Sequence, residues 1–222
     1  MIVLPILYSF RRCPYAIRAR YTLAFLNVSV RLREVVLKSK PDALLALGGR
    51  SSVPQLMDCD GTRYPESLDI MFWALSKTKS NELTQQLWPN CTQTKIKIQT
   101  WIRYNDSTFK YWLDRYKYAD RHPAHSEAYY RGKGEVFLKR LEARLSKTPF
   151  LLGEAESLAD IAIFPFIRQF AAVNQNWFDS SPYRQVRLWL RYFIDAARFK
   201  STVMVKHTAW RTEEDDVLFP TV

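Results

Sequence analysis

The hydrophobic pattern of this chain changes character once, near residue 78, and that change restricts the folds open to it. Before it, short apolar runs alternate with helix-spaced segments. Residues 2–8 read as a buried strand whose first half is weakened by Pro5. Ile17, Tyr21, Ala24 and Val28 then recur at helical spacing, and residues 32–37 give a second strand. Residues 41–47 suit a short helix closed by Gly48-Gly49, and two short strands flank the hairpin signature Asp58-Cys59-Asp60-Gly61. Ser67 is expected to cap a third helix running to about Lys77. The order is βαβαββα, a small sheet with helices packed on it.

Beyond this point the composition changes, and nothing over residues 94–145 looks like a strand. Residues 76–90 are polar and contain Pro89, so they read as a linker. Two long helical patterns follow over 94–145, broken at Asp120-Arg121-His122-Pro123. A loop at 148–156 leads to Ser157-Leu158-Ala159-Asp160, where a Ser cap and an acid three residues later form a capping-box pattern. The helix behind it spans 161–175 with Pro165 expected to bend it, and another covers 183–199. The domains expected are therefore an α/β unit over 1–78, a linker over 79–91 and an all-α unit over 92–222.

The chain has 222 residues, 47 % of them apolar, enough for packed cores. No apolar run approaches the roughly 20 residues of a membrane span, and the N-terminal run lacks a basic leader and a small-residue cleavage site. A cytoplasmic protein without a membrane partner is expected. The net charge of +11 would fit an anionic partner, but it is spread: Lys+Arg outnumber Asp+Glu by 11 to 6 up to residue 78 and by 22 to 16 after it. No basic stripe stands out, so no specific nucleic-acid partner is expected. Arg11, Arg12, Arg18 and Arg20 flank Cys13 and could stabilise a thiolate; singly, each also reads as a solvated helix-surface residue.

Three cysteines, odd in number and widely spaced, argue against a disulfide framework. Cys13 has a context. In Cys13-Pro14-Tyr15-Ala16 it sits behind a strand and ahead of a helix, where unpaired N–H groups favour an anion and hence the nucleophilic thiolate. Ala16 stands where a dithiol motif would place its second cysteine. A mixed disulfide on Cys13 must then be resolved by an outside thiol, a need that glutathione meets. Val53-Pro54 is by itself a turn signal. Glu66-Ser67 is either an ordinary helix start or a pair that holds a ligand's ammonium and carboxylate, and Lys40 is either solvated or a further cation for a carboxylate. The aromatics Trp101, Tyr104, Phe109, Tyr111 and Trp112 fit a core stripe; Tyr104 and Tyr111 are the better candidates for a co-substrate pocket. His122 and His125 have no ligand cluster around them, and no metal site is expected.

Taken together, residues 8–16, Val53-Pro54 and Glu66-Ser67-Leu68-Asp69-Ile70 resemble the N-terminal domain of the glutathione transferase superfamily. Phe150-Leu151-Leu152-Gly153 and Ser157-Leu158-Ala159-Asp160-Ile161-Ala162 resemble its second-domain motif, so the likeness covers essentially the whole chain. A cysteine at this site is similar to the omega-like, thiol-transferring branch and to two-domain bacterial glutaredoxins. The resemblance implies a thioredoxin-like α/β domain followed by an all-α domain. It implies that Cys13 forms a mixed disulfide with glutathione, supported by Arg12, Pro14 and Tyr15. Val53, preceding a cis Pro54, would pair its backbone with the cysteinyl part, Glu66 and Ser67 would hold the γ-glutamyl end, and Lys40 would add a cation. Tyr8 and Ser9 occupy places where other classes hold a catalytic hydroxyl. Asp160 is a folding and capping residue in such proteins. The expected partners are glutathione and a small disulfide or electrophilic co-substrate, with a homodimer possible. The reaction expected is glutathione-dependent thiol transfer, including reduction of dehydroascorbate or glutathionyl-quinones. The alternatives are conjugation to an electrophile and a non-enzymatic adaptor on the same scaffold. One departure stands out: Gly49-Arg50-Ser51-Ser52 replaces the usual Asn-Pro-x-Gly approach to the cis proline.

Overall fold

The computed structural model describes residues 3–212 and 214–220. The chain divides into two compact units, Met1–Asn81 with Ala196–Val222, and Glu82–Asp195.

In the first unit the elements follow the expected order: β1 (Ile6–Ser9), α1 (Pro14–Leu26), β2 (Val30–Glu34), α2 (Asp42–Leu45), β3 (Gln55–Met57), β4 (Arg63–Tyr64) and α3 (Ser67–Lys77). β1 starts just past Pro5, whose ring nitrogen cannot donate to a ladder. It runs parallel to β2 and antiparallel to β3, with Leu7 opposite both Leu32 and Leu56, all three buried. α1 is buried on nearly every side, so apolar residues are not confined to one face. It stops at Leu26 because Asn27 takes the left-handed conformation, φ 52°. The hairpin between β3 and β4 is tied to α3 by Asp58, which accepts from Trp73 Nε1 at 2.7 Å and pairs with Lys77 Nζ at 3.0 Å.

Burial pushes the Asp58 carboxyl up, but the donors from Trp73, the Cys59 N–H and Lys77 outweigh it and hold the group below the usual range. A depressed acid contributes stability above its unfolded pKa and loses it as pH falls through the folded value. Asp58→Asn is therefore expected to flatten the acid limb of a melting-temperature profile below about pH 4. A variant whose acid limb keeps the wild-type slope would refute this.

The sheet has a fifth strand. β5 (Val217–Phe219) pairs antiparallel with the outer edge of β2, giving the order β4-β3-β1-β2-β5. Residues 196–222 were expected in the helical domain; instead they cluster with the first unit. The physical reason is the exposed ladder of β2, whose unpaired N–H and C=O groups the apolar run Val217-Leu218-Phe219 satisfies.

The second unit is helical: α4 (Asn81–Leu87), α5 (Thr92–Tyr104), α6 (Lys110–Lys117), α7 (Glu127–Leu145), α8 (Leu158–Ala171), α9 (Gln175–Ser180) and α10 (Arg184–Asp195). A π-helical turn, Asn105–Phe109, joins α5 to α6. The stretch expected as a linker contains α4, which a single buried residue, Leu87, anchors. The helix expected over 183–199 ends at Asp195, and a separate π-helical turn, Phe199–Val203, comes after it. α8 is the core of this unit, buried along most of its length, and carries Pro165. Its capping box forms as expected: Asp160 accepts from the Ser157 N–H at 3.0 Å and from Ser157 Oγ at 2.6 Å. Asp160 also accepts from the Leu151 N–H and from Trp189 Nε1, both at 2.9 Å, so one carboxylate joins a loop, a helix start and α10.

Gly134 of α7 lets the ring of Phe170 in α8 pack against its backbone. A Cβ built there would lie 2.6 Å from Cε2 of the fully buried Phe170. Gly134→Ala should cost roughly 1–3 kcal/mol through overpacking despite its better helix propensity. Thermal unfolding would reveal it, and an unchanged or raised melting temperature would contradict it.

Candidate active site

Cys13 is the N-cap residue of α1, with extended backbone angles and Pro14 at the first helical position. Its own N–H closes a turn to the Phe10 carbonyl at 2.9 Å. Its Sγ donates toward the Val53 carbonyl at 3.7 Å, and the Val53–Pro54 bond is cis. The fold thus brings together two features that lie forty residues apart in sequence. Val53 also packs in a small apolar cluster with Tyr8, Val35 and Leu44, against which Phe10 rests.

The loop leading to Pro54 is pinned by two residues that sequence reasoning missed. Gln55, fully buried, donates through Nε2 to the Arg50 and Ser52 carbonyls at 2.9 and 2.7 Å. Arg63 donates to Gln55 Oε1 at 2.8 Å and to the Leu47 and Gly48 carbonyls at 2.7 Å each. These bonds order the segment that departs from the Asn-Pro-x-Gly pattern; Gly48 and Gly49, with φ of 74° and 60°, make the turn that lets Arg63 reach it. A polar residue at an inward strand position was the available signal. Lys40 Nζ donates to Ser51 Oγ at 3.1 Å, so its side chain reaches this same loop.

Ser67 is the first residue of α3 and is buried; the N-cap position falls to the exposed Glu66, and neither side chain caps the helix. Ser67 Oγ instead accepts from Arg18 Nε of α1 at 3.0 Å, which leaves its own hydroxyl proton available. Arg18 and Arg20 are 2 % and 0 % exposed, so the reading of them as solvated surface residues fails. Arg18 also lies 5.0 Å over the Tyr15 ring. Arg20 Nη1 pairs with Glu34 Oε2 at 3.1 Å, and burial lowers its pKa to about 10. Arg12 is exposed, with its guanidinium 5.5 Å from the Phe10 ring centroid. The Tyr8 hydroxyl, buried, accepts from Arg33 Nη1 at 2.8 Å.

Within the helical unit, Tyr104 and Tyr111 line two different clefts rather than one. Tyr104 shares a cleft of about 370 Å³ with Trp101, Phe137 and Arg140. Tyr111, with Trp112, Arg115, His125 and Tyr129, borders another of about 430 Å³.

A thioredoxin-like sheet with a cysteine at the head of its first helix opposite a cis proline, and a separate helical unit, define a class. The model of the glutathione S-transferase N-terminal domain matches residues 7–82 and that of the C-terminal domain matches residues 127–191. The chain belongs to the glutathione S-transferase family. Among its curated relatives is Glutaredoxin 2 of Escherichia coli strain K12, 27 % identical over 192 residues, covering 77 % of this chain and 87 % of that protein. Among solved structures, a possible glutathione S-transferase from Rhodopseudomonas palustris superposes with a TM-score of 0.74 at 21 % identity, covering 92 % of this chain and all of that one. A glutathione transferase family member from Pseudomonas fluorescens Pf-5 with two glutathione molecules bound has a TM-score of 0.72 at 16 % identity, covering 88 % of this chain and 90 % of that one.

Proposed function

We propose that this chain is a glutathione-dependent thiol transferase in which Cys13 acts as a monothiol nucleophile. The observation that carries this reading is the approach of Cys13 Sγ to the Val53 carbonyl at the head of α1, in a motif whose fourth position is Ala16. The relationship to Glutaredoxin 2 supports it.

The Cys13 thiolate attacks the glutathione sulfur of a mixed disulfide, and the displaced thiolate leaves and takes a proton from solvent. A second glutathione, as thiolate, attacks the glutathione sulfur now bonded to Cys13. Glutathione disulfide leaves, and the Cys13 thiolate is restored. Ionisation of Cys13 removes the proton shared with Val53, freeing that carbonyl for the glutathione backbone. The N–H groups at the start of α3 and the Ser67 hydroxyl receive the γ-glutamyl carboxylate, and Glu66 accepts from its ammonium. Lys40 faces a further carboxylate from the loop beside Ser51.

Peptide mapping after exposure to glutathione disulfide tests the reading, together with steady-state reduction of a small glutathione mixed disulfide. A glutathionyl adduct on Cys13 and turnover that depends on it are expected. Conjugation of glutathione to an electrophile without an adduct on Cys13 would overturn it in favour of a conventional transferase.

A further inference from the structure

The segment after α10 reaches the turn that carries Cys13. Arg11, two residues before the cysteine, donates through Nη1 to the Met204 carbonyl at 3.2 Å and through its backbone N–H to Glu34 Oε1 at 2.6 Å. Glu34 is the last residue of β2, and its own carbonyl accepts the Trp210 N–H at 2.9 Å. Its second carboxylate oxygen holds Arg20 of α1, so one side chain spans the turn and the helix on either side of Cys13. The Arg20 guanidinium lies 5.2 Å from the ring centroid of Phe219 in β5.

Arg33, the neighbour of Glu34, makes the matching set of contacts on the other face of the sheet. Its Nε donates to Asp216 Oδ1 at 2.6 Å, its Nη1 reaches the Tyr8 hydroxyl at 2.8 Å, and its guanidinium lies 4.0 Å over the Trp210 ring. Trp210 meets the Tyr8 ring edge-on at 6.4 Å. Tyr8 and Arg11, the residues that bracket the end of β1 and the turn into α1, are therefore both held by groups anchored in residues 204–219.

We infer that the C-terminal segment positions the nucleophile: the Trp210 and Asp216 side chains, acting through Arg33 and Tyr8, fix the 8–13 turn and with it Cys13. They are positioning residues and touch no substrate. The inference rests on the reading of Cys13 as the nucleophile. Lys40, Ser67 and the loop ahead of Val53 are held from outside the segment, by Ser51, by Arg18 and by Gln55 with Arg63. Loss of the segment's side chains should therefore lower kcat and leave the glutathione KM nearly unchanged.

The test uses the full chain with Cys59→Ser and Cys91→Ser as background, so that alkylation by iodoacetamide reports on Cys13 alone. Asp216→Ala and Trp210→Ala keep the β2–β5 backbone pairing and are expected to reduce both the alkylation rate and kcat about tenfold, with KM within about twofold. Trp210→Phe, which keeps a ring over Arg33, should restore most of the rate. Wild-type alkylation and kcat in both alanine variants would overturn the proposal, as would a parallel loss in Trp210→Phe or a change confined to KM. Alkylation reads the turn whether or not the chain transfers thiols, so inactivity of the parent toward mixed disulfides would count against the catalytic reading and leave the positioning result legible. If the alanine variants fail to fold, Asp216→Asn, which keeps one acceptor for Arg33, supplies the same comparison.

Discussion

Cys13→Ser is expected to reduce glutathione-dependent disulfide reduction to below about a thousandth of the wild-type rate, and to abolish the glutathionyl adduct at residue 13. A hydroxyl stays protonated at neutral pH and cannot form the mixed disulfide on which the exchange turns. A second thiol needs its own control. Cys91 is exposed at the N-cap of α5, where donors from the Thr94 side chain and the Thr94 and Gln93 N–H groups hold its thiol below the ordinary range. An exposed thiol of this kind can react with glutathione disulfide and be mistaken for the functional one in an unmapped assay. Cys13 is set apart by the backbone opposite it, the Val53 carbonyl ahead of a cis proline, which can pair with an extended peptide. Cys91→Ser and Cys59→Ser should therefore keep activity within about twofold. Retained turnover in Cys13→Ser, or its loss in Cys91→Ser alone, would refute the assignment.

The second large effect concerns stability. Asp160→Ala removes the acceptor for four donors at once, and three of them, the Leu151 N–H, the Ser157 N–H and the Trp189 indole, become unsatisfied in a buried place. Each costs about 1–3 kcal/mol, so a loss of about 4 kcal/mol or more is expected, enough to lower the melting temperature by roughly 10 °C. Burial pushes the Asp160 carboxyl up against the pull of the donors from Ser157, Leu151 and Trp189. Asp160→Asn keeps one acceptor oxygen but sets an NH₂ group among donors, and it should fall between wild type and alanine. Circular dichroism and thermal melts decide the matter; a drop of less than about 3 °C for the alanine variant would show that the network is dispensable.

Much of this architecture can be read from the chain because it depends on local patterns. The βαβαββα order rests on runs and turns such as Asp58-Cys59-Asp60-Gly61, and Ser157 with Asp160 announces the start of α8 from residues only three apart. The features that escaped depend on partners distant in sequence. Arg18 and Arg20 look like surface residues until Ser67 and Glu34 supply the acceptors that make their burial tolerable. Val217-Leu218-Phe219 is too short to declare itself a strand, and only the open edge of β2 makes it one. Tyr104 and Tyr111 are seven residues apart, close to helical spacing, yet the π-helical turn between them adds a residue to its loop and rotates α6 relative to α5. That turn has no signature in residues 105–109, and it accounts for the two aromatics facing separate clefts.

The pairing of β2 with β5 also bears on the order in which the protein can be made. A sheet whose edge is supplied by residues 217–219 remains incomplete on the ribosome while the whole helical unit emerges, although β1, β2 and the turn bearing Cys13 are among the first parts synthesised. The helical unit, built from neighbours in sequence, can fold as it emerges, whereas closing β2 onto β5 spans nearly the whole chain and pays the corresponding loop entropy. Full reactivity of Cys13 should thus arise late in biosynthesis, after residue 219 has cleared the exit tunnel.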